Sequence, residues 1–158
     1  MKQIKTDICI IGGGSGGLSL AAGAVQMGAR VVLFEGGQMG GDCLNSGCVP
    51  SKALLAAAKA AYLANGNAAM GITNTPPNID FAAVKAHVAD VIAQIEPHDS
   101  IARFEALGVT VIPEMAHFSG RRVLASATHQ VRAKYIVIAS GSQPMLPPIQ
   151  GLDQTDFY

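Results

Sequence analysis

Short unbroken apolar runs alternate along this chain with stretches in which apolar residues recur every three or four positions. That alternation marks strands buried on both faces, interleaved with amphipathic helices. Residues 7–11 (DICII) form the first run and empty into GGGSGG at 12–17. Residues 18–27 carry the helical rhythm, Gly28 stops it, and 30–34 form a second apolar run closing on Glu35. This is a complete βαβ unit. Residues 51–63 are rich in alanine and leucine and predict a helix with Pro50 near its start. Residues 81–95 place Phe81, Val84, Val88, Val91, Ile92 and Ile95 on one helical face, with Asp80 as the cap. Between these helices, 64–78 contains asparagines, glycines and paired prolines and predicts a loop. Pro97 interrupts the second helix, and a shorter one at 98–107 ends at Gly108. Residues 109–112 and 135–138 predict further buried strands, and 122–125 with 130–133 a small antiparallel excursion between them. Pro144, Pro147 and Pro148 mark an extended exit.

The elements add up to an α/β fold: a Rossmann-like domain with a parallel sheet, flanking helices and a small antiparallel β excursion. At 158 residues the chain fits one domain, able to bury roughly 68 to 70% of its unfolded surface. With 49% apolar and 14% charged residues it has the composition of a well-buried globular protein. Eleven positive side chains balance eleven negative ones, and no lysine or arginine run occurs, which argues against nucleic acid or an acidic membrane surface as partner. Lys2 and Lys5 ahead of apolar residues imitate a signal peptide, but Asp7 and the glycine cluster break the pattern. No apolar run approaches the roughly 18 residues of a spanning helix. A soluble, cytoplasmic protein is expected.

The glycine turn carries the first candidate chemistry. GxGxxG falls on Gly12, Gly14 and Gly17: the first permits the tight turn, the second lets backbone approach a pyrophosphate, and the third lets the helix pack against the strand. The amides of Ser15 and Gly16 open the helix, whose N-terminus offers oriented donors and partial positive charge to phosphates. Glu35, eighteen residues beyond Gly17, stands where a carboxylate accepts both hydroxyls of an adenosine ribose and repels a 2′-phosphate. A bare strand-to-helix turn would need none of this context.

Cys43 and Cys48 lie five positions apart in GGDCLNSGCVPSK. Regular helix would separate their Cα atoms by about 7.5 Å and turn the side chains apart, beyond the roughly 4.4 to 6.8 Å of a disulfide. The pair bridges only if the intervening turn is irregular, which Asn45, Ser46 and Gly47 allow. Cys48 is expected at a helix N-terminus, where the dipole and Lys52 favour a thiolate and make it the more reactive sulfur. A half zinc site and a purely structural disulfide are the alternatives. Zinc wants four ligands, and Cys9 lies inside the first strand as a small core hydrophobe, while three cysteines without an export signal fit a reducing compartment.

With both motifs in hand, the chain resembles the N-terminal part of the class I FAD-dependent pyridine nucleotide-disulfide oxidoreductases, the family of dihydrolipoamide dehydrogenase, glutathione reductase and mercuric reductase. The residues that carry it are IIGGGSGG, the Glu35 strand end, GGDCLNSGCVPSK and IVIASGSQP, and CLNSGCVPSK leans to the dihydrolipoamide dehydrogenase and mercuric reductase branches. The resemblance implies an FAD-binding domain over 1–150 and, at 151–158, the start of a linker to an NAD(P)-binding domain. It implies that Cys48 contacts the flavin in a charge-transfer pair and that Cys43 is the interchange sulfur attacking substrate. Lys52 matches the lysine beside the flavin ring, Gly41 and Asp42 stand near the FAD phosphates, the backbone of Ala116 in EMAHF pairs with adenine, and Ser140 and Gly141 pass close to the cofactor. NAD(P)H would be the co-substrate, a disulfide or Hg(II) the acceptor, and a homodimer the full-length state.

Two residues depart from the family pattern: Asp42 stands where better-known members carry threonine, and Ser140 replaces the threonine of ATG. The family's histidine–glutamate pair lies in a C-terminal domain and has no counterpart here, and His87, His98, His117 and His129 read as solvated or satisfied side chains. The resemblance thus leads to an enzyme segment unable to turn over alone. The alternatives are a non-catalytic FAD- or nucleotide-binding module with redox-sensing cysteines and, against the CVPSK context, a domain for NAD only.

Overall fold

Both faces of the central strands are covered, which is why their sequences run apolar without alternation. In a computed structural model describing residues 1–142 and 145–155, four parallel strands, β1 (Lys2–Ile11), β2 (Val31–Phe34), β5 (Thr110–Ile112) and β8 (His129–Ile138), lie in one sheet. Two antiparallel strands, β6 (His117–Gly120) and β7 (Val123–Ala125), extend it, giving the order β5-β2-β1-β8-β7-β6. Along β2, Val31 and Leu33 enter one core with Ile10, Val111 and Phe104, while Val32 and Phe34 enter the other with Cys9, Ile112, Leu124 and Val131. Each fully buried side chain of this size contributes roughly 1.5 to 3 kcal/mol.

Helix α1 (Ser15–Gln26) covers the first core through Leu18, Ala21 and Ala24, and the short α5 (Ile101–Ala106) adds Phe104. Helix α2 (Gly41–Asn45) leads into α3 (Cys48–Ala64), which packs against α4 (Phe81–Ile95). Asp80 caps α4 by accepting from the amides of Ala82 and Ala83 at 2.9 and 3.2 Å.

Several expectations change. Residues 64–78 are not all loop, because Gly66–Asn67 (β3) and Ile72–Thr73 (β4) pair as a small hairpin around a 3₁₀ turn. The shorter helix is only six residues, since Pro97 puts Glu96–Asp99 into a 3₁₀ turn first. The two strands read at 130–133 and 135–138 are one continuous β8, and the second half is not buried: Tyr135 and Ile138 are each 68% exposed. The reason lies in the pairing, because β7 reaches only Gln130 to Arg132 and leaves the rest of β8 paired to β1 alone. Pro144 of the expected exit, and 156–158 of the expected linker, lie outside the described residues. No helix among those described is long and apolar enough to cross a membrane.

Candidate functional site

The C-terminal ends of β1, β2 and β8 converge on the glycine turn. Gly12, at φ 108°, donates to the carbonyl of Phe34 at 2.8 Å, and Ala139 donates to Ile11 at 2.8 Å. A Cβ on Gly12 would collide with the Ala139 carbonyl and one on Gly17 with the Gly12 carbonyl, so turn, strand end and helix meet backbone to backbone. Gly14 caps α1 without a side-chain acceptor, and the first turn keeps amide donors that no intrahelical carbonyl satisfies. Space lies in front of them: a Cβ at Gly16 would meet nothing within 4 Å, and one at Gly14 only Gly41 Cα at 3.8 Å.

Glu35 faces the same space, held on both oxygens. Its Oε2 accepts from the Gly13 amide and its Oε1 from the Gly37 amide, each at 2.6 Å. An ionised carboxylate has about four acceptor positions, so two amides leave capacity for hydroxyl donors.

The cysteine loop is fastened directly to this turn. Gly40 donates to the Gly13 carbonyl at 2.8 Å, and Gly14 and Gly40 form a parallel bridge. The Asn45 amide ties the loop by donating to Met39 O at 3.1 Å and Gly41 O at 2.8 Å. Asp42 turns back on its own loop, its Oδ1 accepting from the Ser46 hydroxyl at 2.7 Å. Its carbonyl accepts from Ser46 and Gly47 at 2.9 and 2.5 Å, which ends α2 and allows α3 to begin at Cys48. The break between the two helices is what the disulfide geometry required. Cys43 and Cys48 are free thiols here, and the neighbouring Cys48 side chain, aided by burial, pushes the Cys43 thiol up. The Lys52 cation works in the opposite direction on Cys43.

A cavity of about 770 Å³ joins these parts: Gly12, Gly14, Ser15, Gly16, Glu35, Gly41, Asp42, Cys43, Cys48, Ser140 and Gly141, all named from the sequence, line it. Three named residues stand outside the lining. Gly17 is buried beneath the turn, Lys52 is exposed on α3, and Ala116 packs against the second core. Its neighbour Met115 abuts Gly36, which puts the EMAHF segment beside the Glu35 end of the cavity. Gln38, Asn45, Ser46 and Ser142 also line it and were not singled out. Asn45 and Ser46 had read only as turn formers, and Gln38 had no signal beyond its flanking glycines. Among the described residues no cluster of three or more metal-ligating side chains forms around the cysteines or elsewhere. The open glycine cradle, the free amides, the carboxylate and the thiols share one cavity, a donor set that fits a dinucleotide cofactor.

Cys9 is fully buried, and desolvation pushes its thiol up to about 12, as suits a core residue.

Comparison with known proteins gives the family. A family model described as pyridine nucleotide-disulphide oxidoreductase matches residues 6–158. The mercuric reductase of Streptomyces lividans is 38% identical over 165 residues, covering 99% of this chain and 35% of that protein. The dihydrolipoyl dehydrogenase of Pseudomonas aeruginosa is 36% identical over 159 residues, covering 94% of this chain and 34% of that one. Among solved structures, the Cu(II) complex of the HOCl-induced flavoprotein disulfide reductase RclA from Escherichia coli superposes with a TM-score of 0.76 at 26% identity, over 94% of this chain and 31% of that one. The chain therefore spans about a third of the length of these relatives. The family is one of FAD-binding flavoproteins. Its model covers the strands, the glycine turn and both cysteines, and the chain belongs to the pyridine nucleotide-disulphide oxidoreductase family.

Proposed function

We propose that these residues form the FAD- and dithiol-bearing part of a flavoprotein disulfide oxidoreductase that reduces a disulfide or Hg(II). One observation carries the reading: the glycine turn and the Cys43–Cys48 pair line a single cavity. In it, the amides of Ser15 and Gly16 would hold the pyrophosphate, Glu35 would hold the adenosine ribose, and the thiols would serve the redox end. Lys52 supplies positive charge near the pair. FAD, when bound, supplies the two-electron reduction that restores the dithiol at the expense of NAD(P)H.

The cysteines then act on a disulfide substrate by exchange. The Cys43 thiolate attacks one substrate sulfur and expels the other as a thiolate, and the Cys48 sulfur attacks the mixed disulfide, releasing the second product thiol. Two electrons pass to substrate, and a Cys43–Cys48 disulfide remains. With Hg(II), the same two sulfurs would be ligands.

One glycine-rich cradle occurs among the described residues, and FAD would fill it, so the nicotinamide nucleotide needs a second site. On that argument 1–150 are the flavin unit, 151 onward begins the connection to a nicotinamide unit, and these residues alone do not complete turnover. Helices α3 and α4 leave Leu55, Tyr62, Leu63 and Phe81 exposed, a face suited to the subunit contact of a homodimer. A reducing compartment such as the cytoplasm suits a working dithiol.

The test is reconstitution with FAD. A retained flavin spectrum that gains a long-wavelength band on two-electron reduction, lost in Cys48→Ser, is expected. A chain that retains no flavin, and whose thiols fail to oxidise to an internal disulfide, would sink the proposal.

A further inference from the structure

Positive charge is scattered along the sequence, yet the fold collects it. Lys5, Arg30, Arg121, Arg122, Arg132 and Lys134 are six of the eight residues lining a basin of about 640 Å³. A second hollow of about 450 Å³ continues it and shares Lys5, Arg121 and Arg132. Neither shares a residue with the dithiol cavity. All six cations are exposed, so none is there to fill a core.

The arrangement opposes folding locally. Lys5 and Arg132 are register partners on β1 and β8, and like charges abreast repel. Arg122 holds φ 60° in the β6–β7 turn, a left-handed conformation that glycine or asparagine takes more readily. Among the described residues only Asp7 answers these charges, bonding Arg30 at 3.1 Å and Lys134 at 2.8 Å. Both contacts hold its carboxyl far below the usual range, so it stays ionised and already engaged. Among the described residues Lys5, Arg121, Arg122 and Arg132 have no carboxylate within 4.0 Å.

We propose that this basin docks an acidic polypeptide segment of a partner protein. Guanidinium forks match carboxylates in pairs, and the cations are spread along two adjoining hollows, as carboxylates are spread along a chain. No aromatic side chain lines either hollow, so a nucleobase has nothing to stack on. No helix N-terminus opens there to focus on a single phosphate.

The probe is fluorescein-labelled hexaglutamate, titrated into the 158-residue chain at low salt and followed by anisotropy. Saturable binding that weakens steeply with added salt is expected, with no binding of hexaglutamine. Lys5→Gln, Arg122→Gly and Arg132→Gln should each weaken it by about two- to fivefold. Lys59→Gln and Lys85→Gln, on α3 and α4 outside the basin, should leave it unchanged. Arg122→Gly relieves the left-handed residue, so its thermal midpoint should match or exceed the parent's, which separates lost binding from lost fold. Absence of hexaglutamate binding, or equal binding by the three basin variants, would overturn the proposal. So would tighter binding of tripolyphosphate or oligothymidylate than of hexaglutamate, which would assign the basin to phosphates.

Discussion

Replacing Gly17 by alanine should break the cofactor cradle from beneath. The added Cβ runs into the Gly12 carbonyl, with the Ile10 Cγ2 atom 3.3 Å away, and a backbone carbonyl cannot rotate aside as a side chain could. Overpacking of this kind costs about 1 to 3 kcal/mol, and the better helix propensity of alanine returns at most about 1 kcal/mol. A net loss of up to about 3 kcal/mol lowers the thermal midpoint of a domain this size by up to about 12 °C. Two companion substitutions separate the causes. Gly23→Ala meets no atom within 4 Å and lies in the same helix, so it should stabilise by about 0.5 to 1 kcal/mol and leave FAD binding alone. Gly14→Ala, at φ −82°, meets only Gly41 Cα at 3.8 Å and should shift stability by less than about 1 kcal/mol. Its methyl group enters the cavity where a pyrophosphate would lie, and FAD affinity should fall by about tenfold, or about 1.4 kcal/mol. Urea unfolding and flavin fluorescence titration on the three variants give both quantities. If Gly14→Ala and Gly17→Ala both bind FAD like the parent, the close-approach argument is wrong.

Thiol reactivity and acid stability offer further checks. An aromatic disulfide reagent should titrate Cys43 and Cys48 in the folded chain and reach Cys9 only on unfolding, so three fast thiols in the native state would contradict the burial of Cys9. Cys48→Ala removes the neighbouring side chain that pushes the Cys43 thiol up, and Cys43 should then react faster at neutral pH; an unchanged or slower rate counts against that influence. The Ser126 hydroxyl, and the hydroxyl and amide of Thr128, hold the Glu114 carboxyl down to about 2. An unfolded glutamate takes its proton first, near about 4.3, so this stabilisation is complete above that pH and is lost as pH falls towards about 2. Glu114→Gln should flatten that part of the thermal-midpoint profile, and a variant with the parent's acid slope would refute the assignment.

Much of this molecule was legible in its residues. The runs at 7–11 and 30–34 marked the buried ends of β1 and β2, because a strand covered on both faces is apolar there, although β1 begins at Lys2; the glycine spacing marked the turn because at Gly12 and Gly17 no other residue fits backbone against backbone. Asp80 announced its helix through the one interaction a cap requires. Where the reading failed, the cause was non-local. Nothing within 135–138 tells that β7 stops short and leaves Tyr135 and Ile138 uncovered. Lys134 falls between the two runs read as separate strands, whereas pairing to β1 carries β8 through it.

Local chemistry therefore set the glycine turn and the break in the helix between Cys43 and Cys48, since turn conformation and spacing are properties of neighbouring residues. The tertiary structure alone decided that the Gly13 amide reaches Glu35 and that six distant cations share one basin. Those outcomes depend on strand order and register, which place residues a hundred positions apart side by side and which no short window of sequence contains.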